Sequence, residues 1–390
     1  MFHVSRISPA FFAVSLLSLI TAVVLKAFYG LTWAFILSAS FGFIGSVLMG
    51  AIYQILPNSQ NRPLRLPSLS YVVFLVYTSG LLLLSFGVRE WGSIVLLLAV
   101  LVFAVHLTTA LRNLAPVTVR LILLSVLCLL ASAILLVLHS TGAEVPLRAV
   151  VHTLTVGAML SAVYGVQMAW IPMLLMTALD LRKAMRVFYL KLVSTPLLVI
   201  SLVAGKLVYV PALFEFVIAV YFLYIVYDLF KGRTSPAPVP PVVKLLVLGL
   251  IPLPFGLVIG LVMASSPQSA GYLTGLHTDL VVFGFGSFTV LGGVAHLTPR
   301  IVWMGWFAER GSVTLADLVD ERATERFTYY GSLLYLLYLG LAQVPEPVSF
   351  LSTVPYFLLT GLYLRSVFVP VLKKLREVSH GAGKEAGERL

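Results

Sequence analysis

A chain of 390 residues that is 60% hydrophobic and 11% charged, with mean hydropathy +1.03, falls outside the composition of soluble domains and is expected to be a membrane protein. Its net charge of +11 does not imply nucleic acid as a partner, because the cations sit at the ends of apolar runs and are not gathered on one polar face. The one cysteine, Cys128, excludes an internal disulfide, a thiolate metal cluster and the CxxCH attachment of a c-type haem.

Apolar runs of about 20 residues, the length a helix needs to cross the hydrocarbon core, recur along the whole chain. Twelve spans are expected, at 8–29, 31–56, 69–87, 91–112, 117–139, 149–177, 183–204, 207–230, 242–265, 274–300, 327–345 and 349–372. The first follows Arg6 without a small-residue cleavage site and reads as a retained span. A cytoplasmic N-terminus puts Arg62, Arg182, Lys231, Arg322 and Lys373, with most other loop cations, on the inner side. It leaves Lys26, Arg89, Arg148 and Lys206 outside. Both termini are therefore expected in the cytoplasm, with the chain in the cell (inner) membrane. The polar stretch 307–327 reads as a short surface helix, and 376–390 as a flexible cytoplasmic tail.

Within the second, sixth and tenth spans one pattern recurs: glycine, eight residues on a second glycine, seven further on a proline. Its copies are Gly42, Gly50, Pro57; Gly157, Gly165, Pro172; and Gly284, Gly292, Pro299. Four spans separate successive copies, so the fold class expected is all-α integral membrane, twelve helices in three four-helix repeats of about 1–113, 114–235 and 236–375, forming a single polytopic domain. Glycines at this spacing fall near one helix face, where they admit a planar group or a neighbouring backbone.

Ionisable residues inside a bilayer cost a few kcal/mol each and are functional candidates by default. His152, His277 and Asp279 lie in the outer half, and Glu215 about eight residues, roughly 12 Å, below the outer end of its span. His106, His296 and Lys191 lie in the inner half. Measured back from the repeat prolines, His152 and Asp279 are both at twenty residues and His277 at twenty-two. The two histidines thus stand at nearly one depth on different helices, where neutral imidazoles are suited to haem iron or copper. His277 and His296 are nineteen residues, about 28 Å, apart and cannot share a metal. His106 and His296 define a separate inner site, for a second haem or a quinone. Lys191 is expected to snorkel inward, and Glu215 to carry protons or pair with another group. His3, His139 and His380 receive no role.

With its twelve spans, HTD at 277–279, HTLTVGAML at 152–160, and GAIYQILP and GGVAHLTPR in the second and tenth spans, the chain resembles the catalytic subunit of the haem-copper oxidase superfamily and is similar to NnrS-type membrane haem proteins. The resemblance implies that His277 is an axial haem ligand and that His152 corresponds to a copper-binding histidine of span six; Asp279, by its register, and Gly284 and Gly157, by the glycine spacing, are candidate cofactor contacts beside them. The sequence departs from the family where Phe35 and Leu37 stand in place of a low-spin haem ligand, where Asp279 replaces that haem's second ligand, and where span seven lacks a His-His pair. One b-type haem is thus implied and a complete haem-copper centre is not; copper at His152 is left open. The function implied is nitric oxide handling, redox sensing or electron transfer, with a quinone or small redox protein as partner besides the bilayer, and an oxidoreductase of the nitric oxide or oxygen reductase type if the protein is an enzyme. A cofactor-free permease, haem-delivery or assembly protein on the same fold is the alternative.

Overall fold

The computed structural model describes residues 3–308, 313–345 and 348–387, with side chains through Glu377 apart from Pro267. All regular structure among these residues is helical, and a helix occupies each of the twelve apolar segments. Ten are long and apolar enough to cross a membrane: α1 (Ser8–Tyr29), α2 (Trp33–Ser59), α4 (Arg89–Thr108), α5 (Val117–Ser140), α6 (Leu147–Leu175), α7 (Leu181–Ala204), α8 (Tyr209–Lys231), α9 (Pro241–Ser265), α10 (Ala270–Phe307) and a last segment, Val348–Glu377, within which α12 (Thr353–Gly387) begins. Between them, α3 (Leu69–Ser85) is apolar but shorter, and α11 (Glu321–Ala342) opens on the polar run ERATER. The protein is a multi-pass, all-helical membrane protein.

Three differences from the sequence expectations are local. The tenth helix runs to Phe307, past the expected end at 300, because Pro299 costs only one backbone donor and the turn re-forms beyond it. The expected surface helix over 307–327 is a single turn, Leu315–Leu318, capped by Thr314 and Asp317, before Asp320 caps α11; residues 309–312 lie outside the described residues. The backbone of α12 stays helical to Gly387 across most of the expected tail, of which 388–390 lie outside the described residues.

The chain divides into two compact units, one of Met1–Pro238 with Gly249–Ser287, the other of Val239–Leu248 with Phe288–Leu390. The expected third repeat, 236–375, is therefore shared between them. In the first unit the glycines of the even-numbered helices press against the helix before: a methyl at Gly42 would meet Ser18 at 2.7 Å, one at Gly50 Phe11 at 2.6 Å, and one at Gly165 Leu121 at 2.8 Å. In α3 and α4, Gly80 and Gly92 let the two backbones close to a distance no larger residue allows. The second unit holds the hairpin of α11 and α12 over a cluster of Val302, Phe307, Val313, Leu318 and Val371.

Each of α2, α6 and α10 contains a π-helical stretch: Ser38–Gly45, Thr153–Met159 and Asp279–Gly286. These begin nineteen, nineteen and twenty residues before Pro57, Pro172 and Pro299. A π turn lengthens the hydrogen-bond step to i→i+5, and its carbonyls become available to other donors. Side chains take them up. Tyr77 Oη donates to Phe41 O at 2.7 Å, Ser15 Oγ to Phe43 O at 2.8 Å, Lys191 Nζ to Val156 O at 3.0 Å and Ser287 Oγ to Val282 O at 3.2 Å. The three stretches meet at the centre of the first unit, where a methyl at Gly286 would stand 3.5 Å from both Met159 and Phe43.

Candidate functional site

Just outside the π stretches of α6 and α10, the α-helical turns before them carry His152 and His277 into one cavity. Their rings are 6.2 Å apart between centres and 16° from parallel. Nδ1 of His152 lies 2.8 Å from Arg148 O, and Nδ1 of His277 lies 2.9 Å from Gly256 O. A carbonyl only accepts, so each neutral imidazole carries its proton on Nδ1 and keeps the Nε2 lone pair for a ligand. Anchoring of the far ring nitrogen by a carbonyl is the arrangement that orients metal-binding histidines.

The cavity has a volume of about 620 Å³ and continues into a recess of about 80 Å³. Its walls are apolar for the most part, with Phe35, Ile44, Val151, Leu202, Met263 and Val281 among them, and Arg148 is its cation. That size lies within the roughly 300–1,000 Å³ of ordinary ligand sites. The room for His277 comes from α9, where GLVIG places Gly256 and Gly260 one turn apart. A methyl at Gly260 would lie 3.1 Å from His277 Cε1, and one at Gly256 would lie 2.6 Å from Val281. Small residues four apart are what close helix contacts in membranes use, and in the sequence the GxxxG at 256–260 is the signal for this wall. Arg148 has no such signal, since its place on an outer loop accounts for it equally well.

Two further polar groups stand beside the cavity. Glu215 of α8 lines the recess and is 1% exposed; it accepts from Lys191 Nζ at 2.8 and 2.9 Å and from Ser194 Oγ at 2.7 Å. Lys191 does not snorkel inward: with its Nζ held by Glu215 and Val156 O, its side chain is fully buried. Asp279 is likewise enclosed, and Lys26 of α1 grips both its oxygens at 2.7 and 2.9 Å. Asp279 is not among the cavity-lining residues, nor is Gly157, which packs on Cys128 and Thr195, nor the buried Gly284.

The inner histidines are differently placed. His106 has both ring nitrogens engaged, Nε2 with Arg65 O at 2.7 Å and Nδ1 with Tyr53 Oη at 3.3 Å. His296 belongs to the second unit, is 4% exposed, and its carbonyl accepts from Arg300 at 2.7 Å. Among the described residues no three His, Cys, Asp or Glu side chains gather as metal ligands. The imidazole donors at the cavity are those of His152 and His277.

No family model matches the chain. It is 43% identical over 372 residues to an uncharacterized protein of Aquifex aeolicus (strain VF5), an alignment that covers 94% of this chain and 98% of the other.

Proposed function

We propose a function for the family to which this chain and the Aquifex aeolicus protein both belong: binding of one b-type haem between His152 and His277, in a membrane protein that transfers electrons or senses redox state. The observation that carries this reading is the imidazole pair itself. The two rings would hold the group: they line one cavity with centres 6.2 Å apart, and each Nδ1 is held by a carbonyl, which leaves Nε2 to act as a ligand. The anchored Nδ1 atoms, the apolar walls and Arg148, a counter-charge for anionic haem substituents, fit the same group. With both histidines as its ligands, such a haem would supply one-electron transfer rather than gas chemistry.

In this reading the chain's own residues have separate tasks. Gly256 and Arg148 hold the rings through their carbonyls, Gly260 gives His277 its space, and the pair Lys191–Glu215 supplies a protonatable group at the recess. Phe35, at the site where the oxidase-like plan has a haem ligand, fills the cavity wall instead. The wider plan belongs to the same proposal: twelve spans in three four-helix repeats of the haem-copper oxidase and NnrS type, in the inner membrane with both termini inside. Its support is the common register of the three π stretches and of the glycines facing α1 and α5.

The test is the visible spectrum of detergent-purified protein, oxidised, dithionite-reduced, and with carbon monoxide or nitric oxide added. A Soret band indifferent to both gases, lost in His152→Ala and in His277→Ala, is the expected result. A band that shifts with gas moves the function to nitric oxide handling. A protein that stays colourless after haem reconstitution overturns the haem reading and favours the cofactor-free permease, delivery or assembly protein.

A further inference from the structure

The second unit carries a groove that the haem reading does not use. It lies between the start of α11 and the inner part of α12 and has a volume of about 940 Å³. Its two ends differ in character. Phe327, Tyr330 and Leu362 make one end apolar, with Tyr330 52% exposed. At the other end are Arg322, Lys373 and Lys374, and Arg326 and Arg365 lie between the two ends.

Of these five, Lys374 pairs with Glu377 at 2.8 Å. Among the described residues the other four form no ion pair. Three carboxylates share the groove, and two of them are committed to helix starts. Asp317 accepts from Thr314 N and Oγ1 at 2.8 Å each, bonds that hold its carboxyl below the usual carboxylate range, and Asp320 accepts from Ala323 N at 2.8 Å. Arg365 is the unusual member. It lies inside the apolar segment Val348–Glu377, eight residues or about 12 Å along the helix from Lys373, and no acidic side chain pairs with it among the described residues. A cation at that depth is costly unless an anion meets it.

We propose that this groove binds an anionic phospholipid of the inner leaflet, its phosphate between Arg326 and Arg365 and an acyl chain along Tyr330 and Leu362. An amphipathic groove with basic residues at its interfacial end and apolar ones at its membrane end matches the charge order of such a lipid, and basic pockets between helices on the cytoplasmic side are known to take acidic headgroups. Phosphate alone satisfies the arginines but not the apolar wall; a zwitterionic lipid satisfies the wall but offers the cluster no net charge.

The experiment is native mass spectrometry of the delipidated full-length protein with equimolar phosphatidylglycerol and phosphatidylcholine. Phosphatidylglycerol should be retained selectively. Each cation near an anionic headgroup contributes about fivefold in affinity, so R326Q/R365Q should weaken retention about thirtyfold. R326K/R365K should restore most of it, and R186Q, at the inner end of α7, should change nothing. If the double variant does not fold, Lys373→Gln should still lower retention about fivefold. Equal retention of the two lipids, or retention unchanged in the variants, overturns the proposal. So does displacement of the lipid by an equal concentration of inorganic phosphate, which would define a small-anion site.

Discussion

Asp279 and Glu215 are both buried inside an apolar bundle, and a lysine reaches each of them. Removing one partner of a buried pair strands the other and typically costs roughly 3–5 kcal/mol, whereas replacing both by apolar residues costs much less. Lys191→Met should therefore lower the thermal midpoint well below that of the double variant K191M/E215M, even though the double change leaves Val156 O and Ser194 Oγ without their donor and acceptor. Circular dichroism melts in one detergent decide the point; a single variant as stable as the wild type would mean that the pair is not the closed one described here. The sequence places every one of these ionisable groups by depth, but depth is only one coordinate. Counting residues sets Lys191 in the inner half of its span and Glu215 in the outer half. Which way each helix is turned about its axis is decided by packing, and that rotation, with the reach of a lysine stem, joins them. His152 and His277 share a depth that the repeat register supplies, and Gly256 and Gly260 set the wall against which His277 turns.

At the level of elements, the positions of the helices are legible because apolar length and loop charge are one-dimensional properties. The π stretches are not, since a longer hydrogen-bond step leaves the composition unchanged; only the recurrent glycines and prolines hint at their place. Their mechanical effect is specific. Removing one residue from Thr153–Met159 favours a regular α-helix and rotates everything before it by about 100° relative to everything after. Deletion of Leu154 should thus swing His152 away from His277 while α6 keeps its length. In the haem reading, the loss of the Soret band should match that of His152→Ala, with far-ultraviolet dichroism unchanged. Deletion of Ser40 from the π stretch of α2, which carries no histidine, should instead rotate Phe35 out of the cavity wall and reduce stability. A Soret band that survives deletion of Leu154 would separate the π geometry from the site.

For the whole molecule, the segments that decide the topology are the two weakest ones, α3 and α11. The first is short and the second begins with charged residues, yet each has a reason to cross. In α3, Gly80 fits against the backbone of α4 as Gly92 fits against that of α3, a closeness that suits two helices embedded side by side. In α11, Phe327, Tyr335 and Tyr338 are buried along one side, and the charged residues fall in the first turns, where an inner interface would lie. If both cross, every helix reverses the chain, and the cation asymmetry between loops holds from end to end. A cysteine-free background is accessible because Cys128 is the one native cysteine. In intact cells, cysteines at Phe86 and Val344 should react with a membrane-impermeant maleimide, and those at Asn61 and Thr314 should react only after permeabilisation. Should Phe86 and Asn61 label from the same side, α3 does not cross, and the proposed topology, in which α2, α6 and α10 run the same way and meet at their π stretches, is overturned.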